Sequence, residues 1–121
     1  IVSDHLPEDE ESKSLPFAQA ATGASGVETL LPLSLEMYHN ESLPLNKIIE
    51  TLTVNPSKIL KINKGSLAEG SDGDICIFDL EAPWAVQADK LKSKSKNTAI
   101  EGRKLQGKVL MTFLNGELVF S

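Results

Sequence analysis

The chain has 121 residues, 40% of them hydrophobic, and a formal net charge of −5; it can bury one modest core but not a complete (β/α)8 barrel, which takes about 250 residues. The charge is uneven, nine acidic against three basic side chains in residues 1–60 and eight against nine in residues 61–121, so neither half has the basic stripe that binding a phosphate backbone requires. A single cysteine excludes an internal disulfide, no run approaches the roughly 20 apolar residues of a membrane helix, and cytoplasm is the expected location.

Ile1-Val2-Ser3-Asp4-His5 reads as the end of a buried strand over residues 1–4. Two β-branched residues lead directly to a carboxylate and an imidazole. In barrel enzymes this is the strand end that carries catalytic groups. A chain opening there is expected to be the C-terminal piece of a larger enzyme, sharing its site with an upstream portion. The stretch from Leu6 to Gly26 is first acidic, with Glu8, Asp9, Glu10 and Glu11, then rich in Ala and Gly. It is expected to be a loop, and loops of that length are usually functional.

Val27, Leu30, Leu31, Leu35 and Tyr38 predict an amphipathic helix over about 26–39, with Ser25 as N-cap and Glu28 three residues on. Pro32 kinks that helix or delays its start. A second helix runs from Pro44 or Leu45 to Thr53, with Leu45, Ile48, Ile49 and Leu52 inward. Asn55-Pro56, an N-cap followed by proline at the first helical position, opens a short helix through Leu60. From residue 64 the chain turns to strands: Asp74 to Asp79, Trp84 to Val86, and Lys108 to Leu114. Asn115-Gly116 between apolar runs joins the last of these to Glu117–Phe120 in a hairpin. Cys76 is expected as a small buried hydrophobe, and Lys90, Lys92, Lys94 and Lys96 as a solvated loop. His39, at a helix end, suits the C-terminal dipole and has no site role.

On the residues alone, Asp4 is either a general base or a strand-end carboxylate that caps the next turn. Three segments tip that balance. The first comprises Ser3-Asp4-His5-Leu6-Pro7, Ser14-Leu15-Pro16-Phe17-Ala18 and Gly26-Val27-Glu28-Thr29-Leu30-Leu31-Pro32-Leu33. The second pairs Asn55-Pro56-Ser57-Lys58-Ile59-Leu60 with Lys64-Gly65-Ser66-Leu67-Ala68-Glu69-Gly70-Ser71-Asp72-Gly73-Asp74-Ile75. The third is Ser93-Lys94-Ser95-Lys96-Asn97-Thr98 with Gly102, Leu105 and Gly107-Lys108-Val109. Together they resemble the cyclic amidohydrolases, most closely the dihydroorotases of the long, bacterial class. The second segment is shared across the superfamily, whereas the first and third favour the dihydroorotase type.

The resemblance implies an α/β fold: the C-terminal fragment of a TIM-like (β/α)8 barrel, its last strand and flanking helices in residues 1–60, plus the C-terminal strands of a small β-sandwich in residues 61–121. It implies a metal-dependent hydrolase that interconverts dihydroorotate and N-carbamoyl-aspartate in pyrimidine biosynthesis. Asp4 would be its catalytic residue and a metal ligand, taking a proton from water and returning it to the leaving nitrogen. Ala21, Gly23 and His5 would contact substrate, His5 with loop orientation as its alternative because it points away from Asp4 in a strand. The cofactor would be zinc, with most ligands outside this chain, so the isolated chain is expected to be inactive. Glu8 stands where many relatives carry a second histidine, and an anion there should repel an anionic substrate. The implied partners are the upstream portion of the same enzyme, a small-molecule substrate, and either a second copy or aspartate transcarbamoylase. Two rivals stay open: a non-catalytic homologue that scaffolds aspartate transcarbamoylase, and another cyclic amidohydrolase such as an allantoinase or hydantoinase.

Overall fold

A computed structural model describes residues 1–121 as four short α-helices followed by a three-stranded sheet. Residues 1–4 are not a strand; the only ladder contact here is one parallel bridge between His5 and Ala24. The reason is that a strand needs a neighbour to take its N–H and C=O groups. The chain offers this segment only the Ala24 backbone and, at its start, the Thr51 carbonyl, which accepts the Ile1 ammonium at 3.0 Å. The acidic loop contains one turn of helix, α1 (Glu10–Lys13), because the Asp9 carboxylate caps it by accepting the Ser12 N–H at 2.7 Å.

Helix α2 spans Leu30–His39, later than the spacing predicts. Pro32 is its third residue, inside the first turn, where a missing N–H leaves no bond unmade. Thr29, not Ser25, is the N-cap, and its hydroxyl donates back to the Gly26 carbonyl at 3.2 Å. Helix α3 (Leu45–Leu52) follows Pro44 and buries Ile48 completely, with Leu45, Ile49 and Leu52 half-buried beside it, as the apolar spacing requires. Helix α4 (Val54–Leu60) starts after Thr53, so Asn55 and Pro56 are its second and third residues rather than cap and first. Lys61, left-handed at φ 57°, closes it. No helix is long and apolar enough to cross a membrane.

The sheet is antiparallel in the order β1 (Ile75–Ala85), β2 (Lys104–Leu114), β3 (Glu117–Phe120). The two short strands expected over 74–79 and 84–86 are one strand interrupted by a bulge between Asp79 and Pro83. The Asp79 carboxylate organises that bulge by accepting the N–H groups of Glu81 (2.9 Å) and Ala82 (3.1 Å). Asn115 (φ 52°) and Gly116 (φ 82°) make the hairpin turn with both residues left-handed, as a type I′ turn demands.

The core is small: Leu35, Ile48, Val86, Leu91 and Leu105. It sits where α2 lies on β2. Gly107 has φ 99°, a backbone conformation that favours glycine, and a Cβ on it would stand 2.5 Å from Leu35 Cδ1 and displace that side chain. Arg103, just before β2, ties the same turn of α2 by donating to both carboxylate oxygens of Glu36, the residue after Leu35, at 2.9 and 2.8 Å. Cys76 is exposed, not buried, because neither face is covered at its end of the sheet, where Ile75 and Ile77 are exposed too. What cover it has pushes its thiol above the usual value, which disfavours the reactive thiolate.

Candidate active site

Asp4 and His5 are set by two backbones crossing at close range. Residues 3–6 run against 23–26, with Leu6 N–H donating to the Ala24 carbonyl at 3.1 Å. Two glycines permit the approach. A Cβ on Gly23 (φ 123°) would meet the Leu6 carbonyl at 2.5 Å, and one on Gly26 the Ser3 carbonyl at 2.6 Å. Asp4 itself has φ 47°, a left-handed conformation that Asp tolerates better than most residues. It lines an open hollow of about 340 Å³ with Gly23, Gly26, Thr98 and Ile100.

His5 lines a different hollow, as its neighbouring position in the chain leads one to expect. Its Nδ1 accepts the N–H groups of Gly26 (3.0 Å) and Val27 (3.3 Å). The neutral ring therefore carries its proton on Nε2. This second hollow, about 1010 Å³ and without hydrophobic lining, brings together Glu8, Asp9, Glu10, Lys13, Lys94 and Lys96 around His5 and Asn97. Three carboxylates face three ammonium groups, so Glu8 stands in a balanced field rather than an anionic one. Asp9 is held below the usual carboxylate range by the Ser12 N–H and hydroxyl.

Gly23 thus joins Asp4 at one hollow, whereas Ala21 lines neither. The carbonyls of both are occupied from within the chain. Lys13 Nζ donates to Ala21 (2.7 Å) and Gly23 (3.1 Å), and Asn97 Nδ2 donates to Gly23 as well (3.3 Å). The tail segment 92–97 forms the other side of this arrangement: it is a loop with Lys92, Lys94 and Lys96 exposed, as expected, and its backbone and serines bond the 5–28 region. Glu28, expected in a helix cap, accepts the N–H groups of Lys92 and Ser93, each at 2.9 Å. Ser25 donates its N–H to the Asn97 carbonyl at 2.7 Å and its hydroxyl to the Ser95 carbonyl at 3.1 Å, while Ser95 Oγ reaches the Glu8 carbonyl at 2.5 Å.

Lys13 is the residue that the sequence reading passes over, whereas Glu28 is read only as part of a helix cap and Asn97 only as part of a motif. Lys13 is the one cation in an acidic run, and Asn97 sits in the Ser-Lys-x-x-Asn-Thr motif; those were the available signals.

Residues 1–119 match the amidohydrolase family. The chain belongs to that family. Among curated relatives of this amidohydrolase chain, the dihydroorotase of Anaplasma phagocytophilum (strain HZ) is 43% identical over 120 residues, which are 99% of this chain and 27% of the relative. The dihydroorotase of Geobacter sp. (strain M21) is 38% identical over 120 residues, 99% of this chain and 28% of the relative. The chain therefore spans little more than a quarter of the length of these relatives. Among solved structures, the dihydropyrimidinase from Brevibacillus agri NCHU1002 superposes with a TM-score of 0.90 at 22% identity, covering 97% of this chain and 27% of that one. The L-hydantoinase from Arthrobacter aurescens does so with a TM-score of 0.78 at 32% identity, covering 86% and 24%. The amidohydrolase fold is shared in each case, and the segment is mixed α/β with a small sheet.

Amidohydrolases are generally metal-dependent, and the donors of this segment can be tested against that. No three His, Cys, Asp or Glu side chains converge. Asp4 is a single carboxylate, and His5 has one nitrogen committed to Gly26 and Val27. A zinc ion takes three or four protein ligands. The residues of this chain alone do not fit a metal centre.

Proposed function

We propose that this chain is the C-terminal part of a dihydroorotase, which opens and closes the cyclic amide dihydroorotate in pyrimidine biosynthesis. The observation that supports it is the run of dihydroorotases 38–43% identical along essentially the whole chain. In this reading residues 1–60 end the amidohydrolase barrel and residues 61–121 are the C-terminal share of a β-sandwich. The exposed Asp4 carboxylate receives the proton of the attacking water as oxygen bonds to the ring carbonyl carbon. It returns that proton to the ring nitrogen as the C–N bond breaks. The left-handed backbone at Asp4 fits this role, since conformations of that kind gather at functional sites. His5 offers an Nε2–H donor and Gly23 a close-packed backbone on the substrate side, with Ala21 holding the loop behind it. Zinc would be the metal of this reading and would supply an acidified water, with Asp4 its one ligand from this chain and the others upstream; the chain alone is inactive. The enzyme works in the cytoplasm, as a homodimer or with aspartate transcarbamoylase.

The test is turnover by the full-length protein. It should open dihydroorotate, and Asp4→Asn, which keeps shape and removes the base, should lower kcat by about 10²–10⁴-fold. A wild-type protein without dihydroorotate turnover overturns the reading. Hydrolysis of hydantoin or dihydropyrimidine instead would favour the second one, a hydantoinase-type enzyme, which the likeness to the Arthrobacter aurescens L-hydantoinase supports.

A further inference from the structure

The carbonyl of Gly23 is gripped from two sides, by Lys13 at 3.1 Å and by Asn97 at 3.3 Å, from sequence positions 10 and 74 residues away. Lys13 also holds the Ala21 carbonyl at 2.7 Å, and both of its contacts are partly buried. Gly23 is in turn the residue jammed against Leu6, one position past His5. The same Asn97 accepts the Ser25 N–H through its own carbonyl, so it grasps the 23–25 backbone at two points. The next residue, Gly26, donates to His5 Nδ1. An ammonium and an amide thus press one stretch of backbone onto the stretch carrying Asp4 and His5.

We infer that Lys13 and Asn97 are positioning residues, acting through the Gly23 carbonyl to hold Asp4 and His5 in place. This rests on the reading of Asp4 as the proton carrier, but its structural half does not. Neither side chain bonds Asp4 or His5, so neither is itself catalytic. Loss of either grip frees the 23–26 backbone, and small displacements at a reacting group cost up to about a hundredfold in rate.

The experiment uses Lys13→Met, Lys13→Arg and Asn97→Ala in the full-length protein, with two readouts. In Lys13→Met and Asn97→Ala, hydrogen exchange at the Leu6, Ser25 and Gly26 amides should quicken about tenfold or more while β1 and β2 stay protected. In the same variants kcat for dihydroorotate should fall about tenfold to a hundredfold with KM little changed, and Lys13→Arg should restore much of both. Unchanged exchange overturns the grip. Faster exchange with undiminished turnover, in a protein whose wild type is active, overturns the positioning role. An inactive wild type overturns the dihydroorotase reading and the catalytic half with it, while the exchange result still decides whether the grip exists.

Discussion

The loop-and-tail region and the sheet are built on opposite principles. Around Asp4 and His5, residues 5–28 and 92–97 are joined almost wholly by hydrogen bonds, with Glu28, Ser25, Lys13 and Asn97 each holding backbone of a distant segment. The distal half of the sheet has correct strands and a well-formed turn, yet shows Ile75, Ile77, Leu110, Leu114, Leu118 and Val119 to solvent. Directional bonds define a geometry without needing a large core, whereas an apolar face gains its stability only when something covers it. The loop region therefore takes its backbone geometry from bonds within this chain, although Leu6, Leu15, Phe17 and Val27 are exposed in it too, while the open apolar face of the sheet adds little stability uncovered.

If that contrast is right, the largest loss of stability comes from the one place where the sheet already has its cover. Leu35→Ala should cost about 2–5 kcal/mol, because Leu35 is fully buried against Gly107; chemical denaturation measures it, and a cost below 1 kcal/mol would mean that α2 is not docked. Gly116→Val should cost about 1–2 kcal/mol by forcing a β-branched residue into φ 82°, lowering Tm with little effect on exchange at Ser25 and Gly26. An unchanged Tm would count against the type I′ turn. Glu28→Ala, which strips two N–H groups of their acceptor on an exposed surface, should cost only about 1 kcal/mol. Its signature is faster exchange at Lys92 and Ser93 rather than a large thermal shift.

The smallest effect is a pH dependence in the sheet. Asp74 accepts Lys64 at 2.6 Å and the Asn115 N–H at 2.9 Å, and these partners hold its carboxyl below the usual carboxylate range, Lys64 first. A depressed folded value means stability that is present above the unfolded value and lost as pH falls through the folded one. Lys64 is shifted upward by Asp72 and then Asp74, so its contribution is complete below its unfolded value and is lost only as pH rises through the folded one, at the alkaline end. The acid limb of a Tm–pH curve should therefore flatten slightly in Asp74→Asn. An identical acid limb would show that the pair is fully screened.

What could be read from the residues follows the same division. Helix α3 and the Asn115-Gly116 hairpin were legible because both are decided locally, by apolar spacing and by turn chemistry. Ser25 and Glu28 form a good helix cap on paper, yet both turn to a tail nearly 70 residues on, a partner no local pattern reveals. The strand over 1–4 failed for a related reason, since strand pairing depends on a neighbour. Asp4, His5 and Gly23 are singled out by motif alone, and the structure draws them to one backbone crossing. Lys13 and Asn97 were visible only as sequence, an isolated cation and a motif asparagine, until their shared hold on Gly23 gave them a role.

Trp84 is the only tryptophan of the chain, and its indole N–H donates to the Gly107 carbonyl at 3.0 Å. The one strong intrinsic fluorophore is thus tethered to the glycine on which Leu35 rests. Its emission should report the docking of α2 on the sheet and be nearly blind to the loop around Asp4, an optical probe for one half of the molecule that leaves the other dark.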